Sequence, residues 1–181
     1  MYQADRTAYW IQTAALMVAF IYFGYQKLIA SDWHTTSGLG LAESQEFGGG
    51  SFYRMSVTTE MTQPVKDISI DFGLGTFGFG SKSEGNYRLG SGALMAIYWQ
   101  HRYELSFFLG RHEASFHNGS WRGTGWESSI LWARKFAVGP AAQFGIGGFS
   151  GLARVQYGAP FSSANSTIRT RGILADLTVT L

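Results

Sequence analysis

The sequence is short of charge and has no cysteine, and each shortage excludes a class of protein. Charged residues make up 14% of the 181 residues and aromatic residues 16%. A soluble protein has about 25% charged residues. The combination of little charge and many aromatic residues excludes a disordered chain. The absence of cysteine excludes a disulfide scaffold and a thiolate metal site.

Basic runs, long apolar runs and recognisable catalytic motifs are also scarce. A net charge of +2 without a basic run gives no electrostatic signature of nucleic-acid binding. A single apolar run excludes a bundle of membrane-spanning helices. The sequence contains no nucleophile elbow, phosphate-binding loop or metal-spaced histidine cluster, so we predict neither a cofactor nor a metal.

The one apolar run lies near the start of the chain. Residues 13–25 carry no charge, and Ala30 is a suitable small residue before a cleavage site. These features indicate a secretory signal peptide over residues 1–30. Two alternatives stay open: a retained membrane helix over residues 8–30, which is close to a spanning length, and a helix of a soluble core.

From residue 31 onward, apolar and polar residues alternate. Because successive side chains of a strand point to opposite faces, each alternating segment predicts a strand with one apolar and one polar side. In the seventh segment the apolar positions change parity at Gly147 and Gly148, which predicts a β-bulge. Eight strands are predicted, over 32–42, 51–62, 67–79, 87–99, 103–116, 126–138, 141–156 and 167–181.

The connections between these segments alternate in length. The tight links are residues 64–66, 100–102 and 139–140, and the three prolines of the chain are expected in connections. An even number of strands with alternating long and short connections is typical of bacterial outer-membrane barrels. The long polar connections are residues 43–50, 80–86, 117–125 and 157–166.

The last strand carries a third pattern. Apolar residues occupy every second position to the end of the chain, namely Ile173, Ala175, Leu177, Val179 and Leu181. This segment resembles the terminal strand that the outer-membrane assembly machinery recognises in barrel proteins. Residues 31–181 as a whole resemble the small eight-stranded bacterial outer-membrane β-barrels.

The resemblance implies an all-β fold, an eight-stranded antiparallel transmembrane up-and-down β-barrel preceded by an N-terminal apolar helix or signal segment. It implies two parts, residues 1–30 and the barrel of residues 31–181, and a monomer in the bacterial outer membrane. Bulky residues would face lipid, and the smaller polar residues would fill a lumen too narrow for a pore. Six residues are expected in two aromatic girdles: Trp99 and Tyr103 near a short turn, and Tyr53, Tyr87, Trp126 and Tyr157 near the long loops.

Several charged residues fall on the inward parity. We predict that they form an interior polar network, because unpaired buried charges are costly. Opposed residues of an antiparallel pair have a constant index sum. Glu104 with Lys135 and His112 with Glu127 share the sum 239, which predicts one register for strands five and six. The inward set is Arg54, Glu60, Asp71, Arg88, Glu104, His112, Glu127, Lys135 and Asp176.

One segment contains residues that could support catalysis. Outer-membrane lipid A deacylases carry a His-x-Ser pair and a downstream Glu, and here Ser115, His117 and Glu127 resemble that set in reversed order. The resemblance implies a serine activated by histidine, with Glu127 orienting the imidazole. The reversed order and the inward parity of Glu127 favour a strand end that enters a loop, so whether the protein is an enzyme stays open.

Three outward arginines near the long loops suggest a milder function. The guanidinium groups of Arg111, Arg169 and Arg171 could bind lipopolysaccharide phosphates, or they could simply extend to the membrane interface. The leading hypothesis is therefore a non-enzymatic envelope protein with surface loops and a lipopolysaccharide-contacting wall. The alternative is a lipid A-modifying hydrolase of the outer membrane, and a third is a barrel tethered by a retained helix. Membrane lipid and lipopolysaccharide are the expected partners, without nucleic acid.

Overall fold

A computed structural model of the chain describes residues 32–81, 86–116, 121–157 and 165–181. Within these ranges the chain forms eight β-strands and no helix, and hence no helix that could cross a membrane. The predicted signal or helix over residues 1–30 lies outside the described residues. The strands are β1 (Trp33–Ser44), β2 (Gly48–Val65), β3 (Ile68–Ser81), β4 (Tyr87–Trp99), β5 (Tyr103–Phe116), β6 (Trp121–Gly139), β7 (Ala142–Tyr157) and β8 (Asn165–Thr180).

The strands close into an antiparallel barrel in which each strand pairs with its neighbours in sequence. The barrel closes where β1 pairs with β8, from His34 opposite Thr180 to Ser44 opposite Thr170. Closure satisfies the backbone donors and acceptors that an open edge would expose to lipid. The predicted all-β fold with eight antiparallel strands is confirmed, and the bounds of β4 and β5 agree with the prediction.

The outer face of the barrel is apolar. Leu39 is 73% exposed, Ile173 66% and Leu109 58%, although each lies in the middle of a strand. Trp99 and Tyr103 lie exposed at one end with ring centroids 6.1 Å apart, and Trp126 is exposed towards the other end. A continuous apolar surface with aromatic residues at its borders suits hydrocarbon rather than water.

The first connection differs from the prediction of a long loop over residues 43–50. Strands β1 and β2 continue to Ser44 and from Gly48, so that only residues 45–47 connect them. Gly48 has a positive φ of 68°, and Phe47 is buried with its ring 5.7 Å from that of Phe79. The buried phenylalanine anchors a tight turn where the polar sequence had indicated an exposed loop.

The predicted bulge at Gly147 and Gly148 is wrong, because β7 keeps one register with β8 through both glycines. A Cβ on Gly147 would lie 2.0 Å from the carbonyl oxygen of Trp132, and one on Gly148 would lie 2.6 Å from the Trp132 ring. The glycines therefore allow a close approach of β6 rather than an extra residue in the strand. The apparent change of parity arises because Phe149 points into the lumen.

The prediction that all three prolines lie in connections fails for Pro64, which lies inside β2. Irregular pairing with β3, between Thr62 and Val65, surrounds this position. A proline cannot donate to a ladder, and the register shift removes the need for a donor there.

The predicted register of β5 and β6 is wrong by two residues. Glu104 lies opposite Ala133, and His112 lies opposite Gly125. A shift of two residues keeps every side chain on its face, so the alternation of the sequence cannot detect it.

Candidate functional site

A charged network fills the half of the lumen nearer the short turns. At its centre, Glu104 accepts a hydrogen bond from Arg54 Nη2 at 2.8 Å, and its other oxygen lies 2.7 Å from Lys135 Nζ. Ser106 donates a further short hydrogen bond to the same carboxylate. All four side chains are buried. Their alternation along the strands, together with the strand tilt of a closed barrel, brings them together across the lumen.

Asp176 completes this network from β8. It accepts a hydrogen bond from Lys135 Nζ at 2.6 Å and lies 3.9 Å from Arg54 Nη1. Lys135 also donates to Thr178 at 3.1 Å. Two cations and two carboxylates from β2, β5, β6 and β8 therefore balance one another. The arrangement links the four strands and indicates a structural role, because each buried charge lies close to an opposite charge.

A third buried carboxylate lies near the same end. Asp71 Oδ2 is 2.6 Å from His34 Nδ1 and accepts a hydrogen bond from Thr58 at 3.4 Å. Glu60 lies half-buried opposite Asp71 in the ladder of β2 and β3. Sequence reasoning did not assign His34 to this site. Its even number, shared with the inward-facing Thr36 and Ser44, could have indicated it.

Aromatic rings occupy the middle of the lumen, where the sequence had predicted small polar residues. Phe52 stacks on Phe149 with ring centroids 4.0 Å apart, and Phe77 meets Phe108 edge-on at 5.0 Å. These rings, together with Arg54 and other side chains, border a cavity of only about 30 Å³. A cavity of this size holds roughly one water molecule. The interior is thus largely filled by side chains, in part apolar ones.

The outer half of the lumen holds a smaller charged cluster. Arg88 Nη2 lies 3.2 Å from Glu127 Oε1, and His112 Nδ1 lies 4.0 Å from Glu127 Oε2. The Arg88 guanidinium also lies over the Phe77 ring, 5.6 Å from its centroid. The three side chains are buried, yet the Arg88 nitrogens and both His112 ring nitrogens make no hydrogen bond. His112 and Glu127 meet diagonally rather than directly across the ladder.

The predicted catalytic set is not assembled among the described residues. Ser115 is fully buried, and its hydroxyl makes no hydrogen bond. Glu127 points into the lumen towards Arg88. Ser115 belongs to the odd-numbered residues of β5, which lie on the other face of the sheet. His117 lies outside the described residues. The hydrolase therefore stays an untested alternative.

The arginines predicted to bind phosphate lie on the outer wall. Arg111 places its guanidinium 5.8 Å from the centroid of the Trp126 ring. Arg169 is exposed on β8, and Arg171 bonds Glu43 at 3.2 Å with its side chain 80% exposed. Sequence reasoning missed Arg154, which lies exposed directly opposite Trp126 in the ladder. A bulge at Gly147 and Gly148 would reverse the orientation of the residues that follow it, so the predicted bulge in β7 concealed the outward position of Arg154.

Comparisons with known proteins address the fold. No protein-family model matches the chain, and no curated protein matches its sequence. Among solved structures, the chain is similar to Neisserial surface protein A, with a TM-score of 0.55, 14% identity, and 81% of this chain and 96% of that chain covered. It also matches the outer membrane enzyme PagL (TM-score 0.45, 13% identity, 79% and 97% covered). A third match is Ail of Yersinia pestis (0.47, 9%, 83% and 99%).

The closed eight-stranded barrel and its apolar outer face define the class. The chain has the fold of the small eight-stranded outer-membrane β-barrels, and its apolar outer face suits a lipid environment. Within the described ranges, no group of three acidic or histidine side chains could hold a metal ion. Among the described residues, the lumen and the outer wall are the two regions that carry charged side chains in ordered positions.

Proposed function

We propose that the protein is a non-enzymatic component of the outer membrane whose outer wall binds the phosphates of lipopolysaccharide. One observation carries the proposal. Arg111, Trp126 and Arg154 lie side by side on β5, β6 and β7, facing outward in the half nearer the long connections. Arg111 and Arg154 lie on either side of Trp126, two strand spacings or about 9.6 Å apart, and their long side chains can reach one phosphate between them.

The surroundings of this row suit the interface between lipid and water. Trp126 is 54% exposed, and its amphipathic ring favours that interface. Arg169 and Arg171 extend the basic surface onto β8. By contrast, the lumen offers no comparable ligand site, because rings and paired charges fill its described part.

Binding of purified barrel to lipopolysaccharide in detergent tests the proposal. We expect the double substitution R111Q/R154Q to weaken binding about tenfold, because each exposed ion pair is worth up to about 1 kcal/mol. Raising the salt concentration should reduce the difference from the unsubstituted protein.

The matched control is R134Q. Arg134 is also exposed on β6 and also lies over an aromatic ring, that of Phe136 at 5.2 Å, but it is near the short turns. We expect R134Q to leave binding unchanged. Equal affinities for all three proteins, or an equal loss in R134Q, would contradict the proposal.

A further inference from the structure

The buried cluster of Arg88, His112 and Glu127 has more hydrogen-bonding groups than partners. Within the described part of the chain, the three guanidinium nitrogens of Arg88, both ring nitrogens of His112 and Glu127 Oε2 make no hydrogen bond. Arg88 is 1% exposed, Glu127 3% and His112 4%, so bulk water does not reach these groups freely. Buried polar atoms are normally satisfied by protein, by ordered water or by a bound ion. The cluster therefore indicates a site for a small polar occupant.

Two further unpaired groups lie beside the cluster. A Cβ on Gly151 would be 3.2 Å from Glu127 Oε1, so the carboxylate lies against this glycine of β7. Thr170 on β8 and Ser44 on β1 continue the row of Gly151. Among the described residues, neither hydroxyl has a hydrogen-bond partner, and both are buried. Guanidinium, imidazole and hydroxyl groups can all donate, so most of the unpaired groups favour an occupant that accepts hydrogen bonds.

The charges of the cluster are balanced only while His112 is neutral, because Arg88 (+1) and Glu127 (−1) then cancel. The residues directly opposite the three members in the neighbouring strands are uncharged, namely Phe79, Gly90, Gly110, Ala114, Gly125 and Ala153. The other inward charged residues of the described strands lie towards the short turns, namely His34, Arg54, Glu60, Asp71, Glu104, Lys135 and Asp176. A proton taken up by either His112 or Glu127 therefore gives the cluster a net charge of +1.

We propose that the protonated cluster binds one monovalent anion of about the size of chloride. Arg88 and His112 supply N–H donors, and the anion cancels the charge that the proton adds, because an unbalanced buried charge is costly. Without the proton the charges cancel, and water can satisfy the same donors. Side chains fill most of the lumen, so the anion must be close to a water molecule in size, which excludes a lipid phosphate group. The inference is independent of the arginine row on the outer wall.

Chloride binding to the purified barrel in detergent tests the proposal. It is measured from the line width of the chloride NMR signal at about pH 5 and at about pH 8, the range over which histidine commonly titrates. We expect saturable broadening at the lower pH and none above background at the higher pH. This comparison uses the unsubstituted protein, so it does not depend on the folding of a variant. Equal saturable broadening at both pH values, or none at either, would overturn the proposal.

Substitution of Arg88 locates the site. Exposed basic side chains such as Arg134 and His101 also attract anions, so broadening alone does not identify the lumen. R88Q should weaken chloride binding at the lower pH about tenfold, because it removes a charged hydrogen-bond donor. The matched controls R134Q and H101Q should leave the saturable broadening unchanged. Equal binding by R88Q and the unsubstituted protein, or a loss in either control, would overturn a site in the lumen.

Substitution of Glu127 tests the coupling to the proton. Glutamine is close to glutamate in size but has no charge, so E127Q leaves the Arg88 charge unbalanced at every pH. We therefore expect E127Q to bind chloride at the higher pH as well as at the lower one. Binding by E127Q at the lower pH alone, or at neither, contradicts the proposal. Heat-modifiable gel migration of each variant establishes that it is folded.

Discussion

The charged clusters around Glu104 and around Glu127 differ in how completely their groups are paired. Near the short turns, Glu104 contacts Arg54, Lys135 and Ser106. In the outer half, Glu127 has one close charged partner, Arg88 at 3.2 Å. Buried polar groups stabilise a fold when all of them are satisfied, and they contribute less when they are not. We therefore expect the Glu104 cluster, which links four strands, to contribute more to the free energy of unfolding than the Glu127 cluster.

The largest expected effect is that of E104Q, which removes the shared carboxylate. Two cations would then face each other with only Asp176 between them. Breaking a buried ion pair on one side costs about 3–5 kcal/mol. We expect a loss of that size in the free energy of unfolding, measured by urea titration in lipid vesicles. A loss below about 1 kcal/mol would show that the Glu104 network does not stabilise the barrel.

The matched substitution in the outer half is E127Q. It removes one ion pair and the more distant His112 contact, so we expect a smaller loss of about 1–2 kcal/mol in the same titration. The Phe77 ring under Arg88 should offset part of the missing charge. A loss equal to or larger than that of E104Q would invalidate the comparison between the two clusters.

A smaller effect is expected in the turn beside the first cluster. Gln100 and His101 both have positive φ, 53° and 52°, and Arg102 N donates to Trp99 O at 3.0 Å. Such two-residue hairpin turns favour Asn-Gly. We expect Q100N/H101G to stabilise the barrel by about 1 kcal/mol in the urea titration. The same pair of residues at positions 66 and 67, where φ is not positive, should give no gain.

The smallest expected effect concerns Ser115. Since Glu127 points into the lumen rather than to the outer face of β5, we expect no serine chemistry. Purified barrel should leave the mass of lipid A unchanged in mass spectrometry, and S115A should behave like the unsubstituted protein. Loss of an acyl chain that S115A abolishes would establish the hydrolase instead.

The alternation of the sequence was sufficient to predict the barrel, because the side-chain period of a strand is two. It predicted the bounds of β4 and β5 and the inward faces of Glu104 and Lys135. It could not fix the register of β5 and β6, because a shift of two residues leaves every face unchanged.

The filling of the lumen was harder to predict than its walls. Phe108 lies on the same face as Glu104 and Ser106, and Phe149 broke the apparent parity of β7. Both residues are consistent with an aromatic interior. A pattern that assigns every apolar residue to the lipid-facing side cannot place them there. Contacts such as Phe52 on Phe149 depend on strand tilt and register, which a sequence pattern does not contain.

The most direct test of the central claim is the accessibility of oxygen to spin labels along β6 in a lipid bilayer. Single cysteines at positions 129–133 are labelled one at a time. If the apolar face meets lipid, then labels at 130 and 132 should collide often with dissolved oxygen, and those at 129, 131 and 133 rarely. High oxygen accessibility at the odd positions, or water accessibility at Ile130 and Trp132, would contradict a barrel with its apolar face outward.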